Sequence, residues 1–118
     1  MNVVVKMQER DPWSSLSDSD QQAARRAMEY WVQHWDWECP TLFGLEREDV
    51  VNAILTWPHS SAPATSQAVV GSLRELLYGA STPAKSELPR LIGMPYERAH
   101  ELATAVHAIA ESNSRGAQ

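Results

Sequence analysis

Four histidines, His34, His59, His100 and His107, and one cysteine, Cys39, are the side chains of this 118-residue sequence best suited to bind a transition metal or to open a nucleophilic reaction. A zinc site needs three or four ligands converging on one point, and two ligands on one helix must stand three or four residues apart. His100 and His107 are seven apart, on one helical face but about 10 Å apart along the axis. His34 and Cys39 straddle an expected helix end, and His59 lies in a loop-like stretch, so the spacing predicts no metal site. Glu97 and His100 match the Glu-x-x-His spacing of di-iron bundles. Such sites require a second pair and two further glutamates, and no second pair exists here. Cys39 as a nucleophile needs an adjacent base, and its neighbours Asp36 and Glu38 oppose thiolate formation. No serine sits in a Gly-x-Ser-x-Gly elbow, and no glycine-rich loop precedes a helix to cradle phosphate. The expectation is a protein without cofactor and without a catalytic centre. A small enzyme with an unrecognised His/Cys site is one alternative, and a small helix-turn-helix-like transcriptional regulator is the other.

Charge points elsewhere. The net charge is −5, and residues 36–49 alone contribute −4, through Asp36, Glu38, Glu46, Glu48 and Asp49 against Arg47. Such a chain gains nothing from counterion release on phosphate, so no nucleic-acid partner is expected. Residues 88–102 do read as helix, glycine turn, helix, the order of a helix-turn-helix regulator. Pro89 shortens the first of these helices, and Glu97, Glu101 and Glu111 on the second would repel phosphate. The acidic stretch overlaps the aromatic segment Tyr30–Phe43, which holds Trp31, Trp35, Trp37 and the one phenylalanine. Trp31 and Trp35 fit a buried stripe. Trp37, two residues on, would point about 200° around a helix from Trp35. It either covers the following loop or stands exposed as an aromatic anchor ringed by charge, the usual composition of a protein recognition site. The candidate partner-binding residues are therefore Asp36, Trp37, Glu38, Glu46, Glu48 and Asp49, and the expected partner is a basic protein.

The elements that position these residues are helical throughout. Residues 1–17 form an arm, with Trp13 and Leu16 available to pin it to the core. A first helix begins near Ser17 or Asp18, both good N-caps, with Ala24, Met28, Trp31 and Trp35 as its stripe and Pro40 beyond its end. Thr41 to Leu45 read as a connection. A second helix covers 46–57, with Val50, Val51, Ile54, Leu55 and Trp57 on its apolar face. A third runs from a cap at Thr65 or Ser66 to Tyr78, with Val69, Leu73, Leu76 and Leu77 inward and Gly79 as a left-handed cap. Residues 82–93 suggest a loop and a short helix opened by Thr82 and Pro83. The last helix runs from about Pro95 to Ser112, with Ala99, Leu102, Val106 and Ile109 inward, and 113–118 fray.

This organisation predicts one all-α domain over 18–112, a compact orthogonal bundle of four or five short helices. No apolar stretch is long enough for a signal peptide core or a membrane span, and a single cysteine suits a reducing compartment, so the expected location is cytoplasmic. Size, charge and missing chemistry together suggest a non-enzymatic protein-binding module, in its most concrete form an immunity or antitoxin-like inhibitor of a basic toxin such as a nuclease.

Overall fold

A computed structural model describes residues 11–80 and 82–116. Residues 1–10 of the expected arm and the end of the expected tail, 117–118, lie outside the described residues. The fold is an all-α compact bundle, with no strand among the described residues. Its helices are α1 (Asp18–Gln33), α2 (Cys39–Phe43), α3 (Arg47–Thr56), α4 (Pro63–Tyr78), α5 (Leu88–Ile92) and α6 (Tyr96–Gly116). Two short 3-10 turns, Pro12–Ser15 and Lys85–Glu87, precede α1 and α5. No helix among the described residues is long and apolar enough to cross a membrane.

Helix α4 is the central element and packs against α1, α2, α3 and α6. Its sequence explains why. Ala68, Val69, Ser72, Leu73, Leu76 and Leu77 are all buried, a stripe wide enough to serve more than one neighbour. Helix α1 starts where expected, with the Ser17 hydroxyl accepting from the Asp20 N–H at 3.2 Å. Ala24, Met28 and Trp31 form its inner face, and Ala99, Leu102 and Val106 form that of α6. Trp13 and Leu16 are buried, so the 3-10 turn is pinned to the core.

Three tryptophans tie distant elements by donating their indole N–H to backbone carbonyls. Trp13 reaches Ser60 at 3.0 Å, Trp57 reaches Gln21 at 2.9 Å, and Trp31 reaches Ser72 at 3.0 Å. Each ring fills volume while its one polar atom is satisfied, which is what a buried indole requires.

The prolines act differently from the sequence expectation. Pro40 does not end α1, which already stops at Gln33 with His34 as its cap; Pro40 instead opens α2 where a plain connection was expected. Pro63, and not a cap at Thr65 or Ser66, opens α4, and Pro89 opens α5 where Pro83 was expected to open it. A proline in the first turn loses no hydrogen bond and brings its φ already set. Helices α2 and α5 share one six-residue pattern, Cys39-Pro-Thr-Leu-Phe-Gly44 and Leu88-Pro-Arg-Leu-Ile-Gly93. In each, the first and fifth residues are buried. In each, the closing glycine sits at positive φ, 68° and 85°, and its N–H returns to the proline carbonyl. Only glycine takes that conformation without strain.

Four further expectations are corrected. Gly79 is extended, at φ −77° and ψ 174°, so it is no left-handed cap. Leu55 is exposed, because the buried face of α3 is Val50, Ala53 and Trp57, at three- and four-residue steps. Trp35 lies beyond the end of α1, yet it is half-buried on Phe43. Residues 113–116 continue α6, held where the Asn113 amide donates to the Ser61 carbonyl at 3.1 Å.

Candidate functional site

Beyond Gln33 the chain alternates inward and outward. Trp35 packs on Phe43 at 5.2 Å between ring centres, and Cys39 is 1% exposed. Trp37, between them, is 85% exposed. Asp36 builds this loop. Its Oδ1 accepts from the Glu38 N–H at 2.9 Å and from the Cys39 thiol at 3.4 Å, while its carbonyl accepts from the Cys39 N–H at 3.2 Å. The side chain thus imitates a backbone turn and leaves Trp37 at the tip.

The loop and α2 rest on a small cluster of Trp31, Cys39 and Phe43, bordered by Tyr30, Trp35 and Leu45. Helix α2 has too few residues to satisfy its own end, and α4 supplies the donors. The Gln67 amide donates to the carbonyls of Phe43 at 2.8 Å and Gly44 at 3.2 Å. Arg74 Nη2 donates to the Leu42 carbonyl at 2.7 Å. These are the orphan acceptors of a helix C-terminus, bonded here by side chains. Phe43 can lie this close because position 71 is glycine; a Cβ there would stand 3.0 Å from the Phe43 ring.

The second acidic stretch begins α3. Asp49 Oδ2 accepts from the Glu46 N–H at 2.9 Å, a cap on the helix start. Arg47 Nε donates to the Val32 carbonyl at 3.1 Å and joins the start of α3 to the last turn of α1. The two stretches sit at opposite ends of α2, a helix only about 7.5 Å long.

The six candidate residues therefore divide by role. Asp36 and Asp49 hold backbone, and exposed Glu46 shares in the capping box by accepting from the Asp49 N–H, whereas Trp37, Glu38 and Glu48 are exposed with no side-chain ion pair or hydrogen bond to them among the described residues. Leu42, 45% exposed on α2, lies in sequence between the two stretches; reading residues 41–45 as a plain connection hid it. Asp36→Ala and Asp49→Ala are expected to cost about 1 kcal/mol each, as lost caps do. Glu38→Lys and Glu48→Lys should stay within about ±0.5 kcal/mol. Urea denaturation of the four variants checks this division, and equal costs in both groups would refute it.

The other candidate chemistry does not converge. Among the described residues no group of three His, Cys, Asp or Glu is placed to hold a metal ion. His34 stacks on Tyr30 and bonds its carbonyl, His59 meets Asp11, His100 meets Tyr78, and His107 meets Glu111. Burial pushes the Cys39 thiol above its ordinary pKa; the Asp36 backbone N–H opposes this, and the side chain of Asp36 and the charge of Glu38 add to the rise. A thiol so placed is a poor nucleophile. At the α5–α6 corner the exposed Glu97 and Glu101 flank Arg98, whose guanidinium is bound to Asp20. Compared with protein-family models, curated proteins and solved structures, the chain matches none of them.

Proposed function

We propose that the chain is a non-enzymatic protein-binding module that engages a basic partner through the surface of Trp37, Leu42, Glu38, Glu46 and Glu48. One observation carries this reading: an 85% exposed indole at a loop tip braced by Asp36, beside carboxylates that no basic side chain among the described residues neutralises. Leaving a tryptophan in water forgoes several kcal/mol of burial that a partner can recover, roughly in proportion to the apolar area covered. Unneutralised carboxylates around it accelerate encounter with a cationic surface and reject acidic competitors. In its most concrete form the proposal is an immunity or antitoxin-like inhibitor of a basic toxin, such as a nuclease, acting in the cytoplasm. Inhibition of that kind needs no catalytic residue, and clustered carboxylates imitate the phosphates of a nuclease substrate.

The test uses the full chain as bait in an extract of its native host, beside Trp37→Ala and Glu46→Lys/Glu48→Lys baits. A basic protein retained by the wild type should be depleted from both variants. With that protein purified, the charge reversals should slow association and make it less sensitive to salt, because screening acts on long-range steering. Trp37→Ala should act mainly by speeding dissociation, as loss of a buried anchor does. Kinetics indifferent to all three substitutions would overturn the proposed surface.

A further inference from the structure

Helices α4 and α6 run side by side with a cleft of about 470 Å3 between them. The size is within the range of small-molecule sites, roughly 300–1,000 Å3. Val70, Arg74 and Tyr78 reach it from α4 at four-residue steps, and His100, Ala103, Thr104 and His107 reach it from α6 at three- and four-residue steps. Each set is one face of its helix, so both rows of side chains meet in the same groove.

The lining is chemically one-sided. Among the described residues no carboxylate lines this cleft itself, although the chain carries a net −5. The adjoining cleft toward the end of α6 includes Glu111, and the one between α1 and α5 includes Glu29 and Glu87. Three of the seven lining side chains here are basic types, Arg74, His100 and His107. Arg74 Nε is engaged by Glu75 at 2.9 Å and one Nη by the Leu42 carbonyl, which leaves further N–H groups of the fork free. His107 Nδ1 lies 3.6 Å from Glu111.

His100 is fixed in place. Its Nδ1 is hydrogen-bonded to the Tyr78 hydroxyl, and the two rings meet edge to face at 5.8 Å and 81°. Burial, and secondarily the neighbouring Tyr96, hold the Tyr78 hydroxyl above its ordinary pKa. A phenol that donates its proton to Nδ1 places the imidazole N–H on Nε2. Thr104 spends its hydroxyl proton on the His100 carbonyl at 3.1 Å. The cleft thus offers a guanidinium and an imidazole N–H as donors, with Val70, Ala103 and the Tyr78 ring as apolar wall.

We propose that this cleft is a binding site for a small organic carboxylate with an apolar body. Arg74 and His100 take the carboxylate, and Val70, Ala103 and the Tyr78 ring take the hydrocarbon. Charge selects the class. One permanent cation, partly offset by Glu75, balances a monoanion but not a phosphate dianion, and the planar guanidinium fork matches a planar carboxylate. A cation would meet Arg74, whose charge Glu75 offsets only in part.

The experiment is an NMR titration of the full-length protein with phenylacetate, and separately with inorganic phosphate and benzylamine. Phenylacetate should shift the amides of Val70, Arg74, Ala103 and His100 saturably, with a dissociation constant at or below about 1 mM. Phosphate and benzylamine should leave them in place. Ala103→Phe, which fills the cleft while sparing the polar groups, should weaken phenylacetate at least about tenfold. Arg74→Gln should do the same, and because it also loosens α2, the Ala103 variant is the decisive one. Unsaturable shifts, shifts elsewhere in the protein, equal binding of phosphate or benzylamine, or an Ala103→Phe variant of unchanged affinity would each overturn the proposal.

Discussion

Trp31→Ala is expected to lower the stability of the fold by about 3–5 kcal/mol, the range for deleting a large buried aromatic side chain. The residue is 5% exposed and joins three elements: it belongs to α1, meets Phe43 of α2 at 5.9 Å between ring centres, and donates to the Ser72 carbonyl within α4. A cavity bounded by three helices collapses poorly, which favours the upper part of that range. Trp31→Phe should cost only about 1–2 kcal/mol, because it keeps an aromatic ring and forfeits one hydrogen bond plus a small volume. Urea denaturation followed by far-UV circular dichroism separates the two variants. The melting temperature of the alanine variant should fall by more than about 10 °C. A cost below about 1 kcal/mol for Trp31→Ala would mean that α2 and its acidic loop are held to the bundle by the Gln67 and Arg74 bonds alone.

The readable part of this fold was its periodicity. Ala24, Met28 and Trp31 in α1, Val69, Leu73, Leu76 and Leu77 in α4, and Ala99, Leu102 and Val106 in α6 are all buried as their spacing requires. Proline was harder to read, because the same residue that bars a helix from continuing can also open the next one. Which action prevails depends on whether the following turn can bury its apolar pair. Cys39 and Phe43 find Gly71 and Trp31, and Leu88 and Ile92 find the main core. The recurrent apolar-Pro-x-Leu-apolar-Gly pattern was the available local signal for both single-turn helices.

The acidity of residues 36–49 was equally plain, but the exposure of Trp37 was not. A helical phase angle says little about a residue in a loop, and that loop is shaped by Asp36, a hydrogen-bonding role that charge counting treats as mere acidity. The supports of the surface were out of reach altogether. Gln67 and Arg74 act on carbonyls 24 and 32 residues away, and no local pattern marks a side chain for such a bond. The same holds for the α4–α6 cleft, where His100 gains its meaning only from Tyr78 on another helix.

Breaking the Asp20–Arg98 pair from one side should be the second large loss. Asp20 is 8% exposed in the first turn of α1, and Arg98 Nη2 reaches both its carboxylate oxygens, at 2.6 and 2.7 Å. The bond closes a loop of 78 residues and joins the start of α6 to the start of α1. Arg98→Met keeps much of the side-chain volume but strands a carboxylate that the fold has largely removed from water. A fully buried pair broken this way costs about 3–5 kcal/mol; with the Arg98 side chain 41% exposed, some water reaches the site, and about 2–3 kcal/mol is expected. Asp20→Asn should cost less, because a neutral amide tolerates burial and its oxygen still accepts from Arg98. The double variant decides whether the loss belongs to the pair or to packing at position 98. If the stranded charge is the cause, Asp20→Asn/Arg98→Met should be more stable than the sum of the single losses predicts, by about 1 kcal/mol or more. Strict additivity in urea denaturation would place the cost in the packing of the α1 and α6 side chains around position 98, and the ion pair would then add orientation to this joint without adding stability.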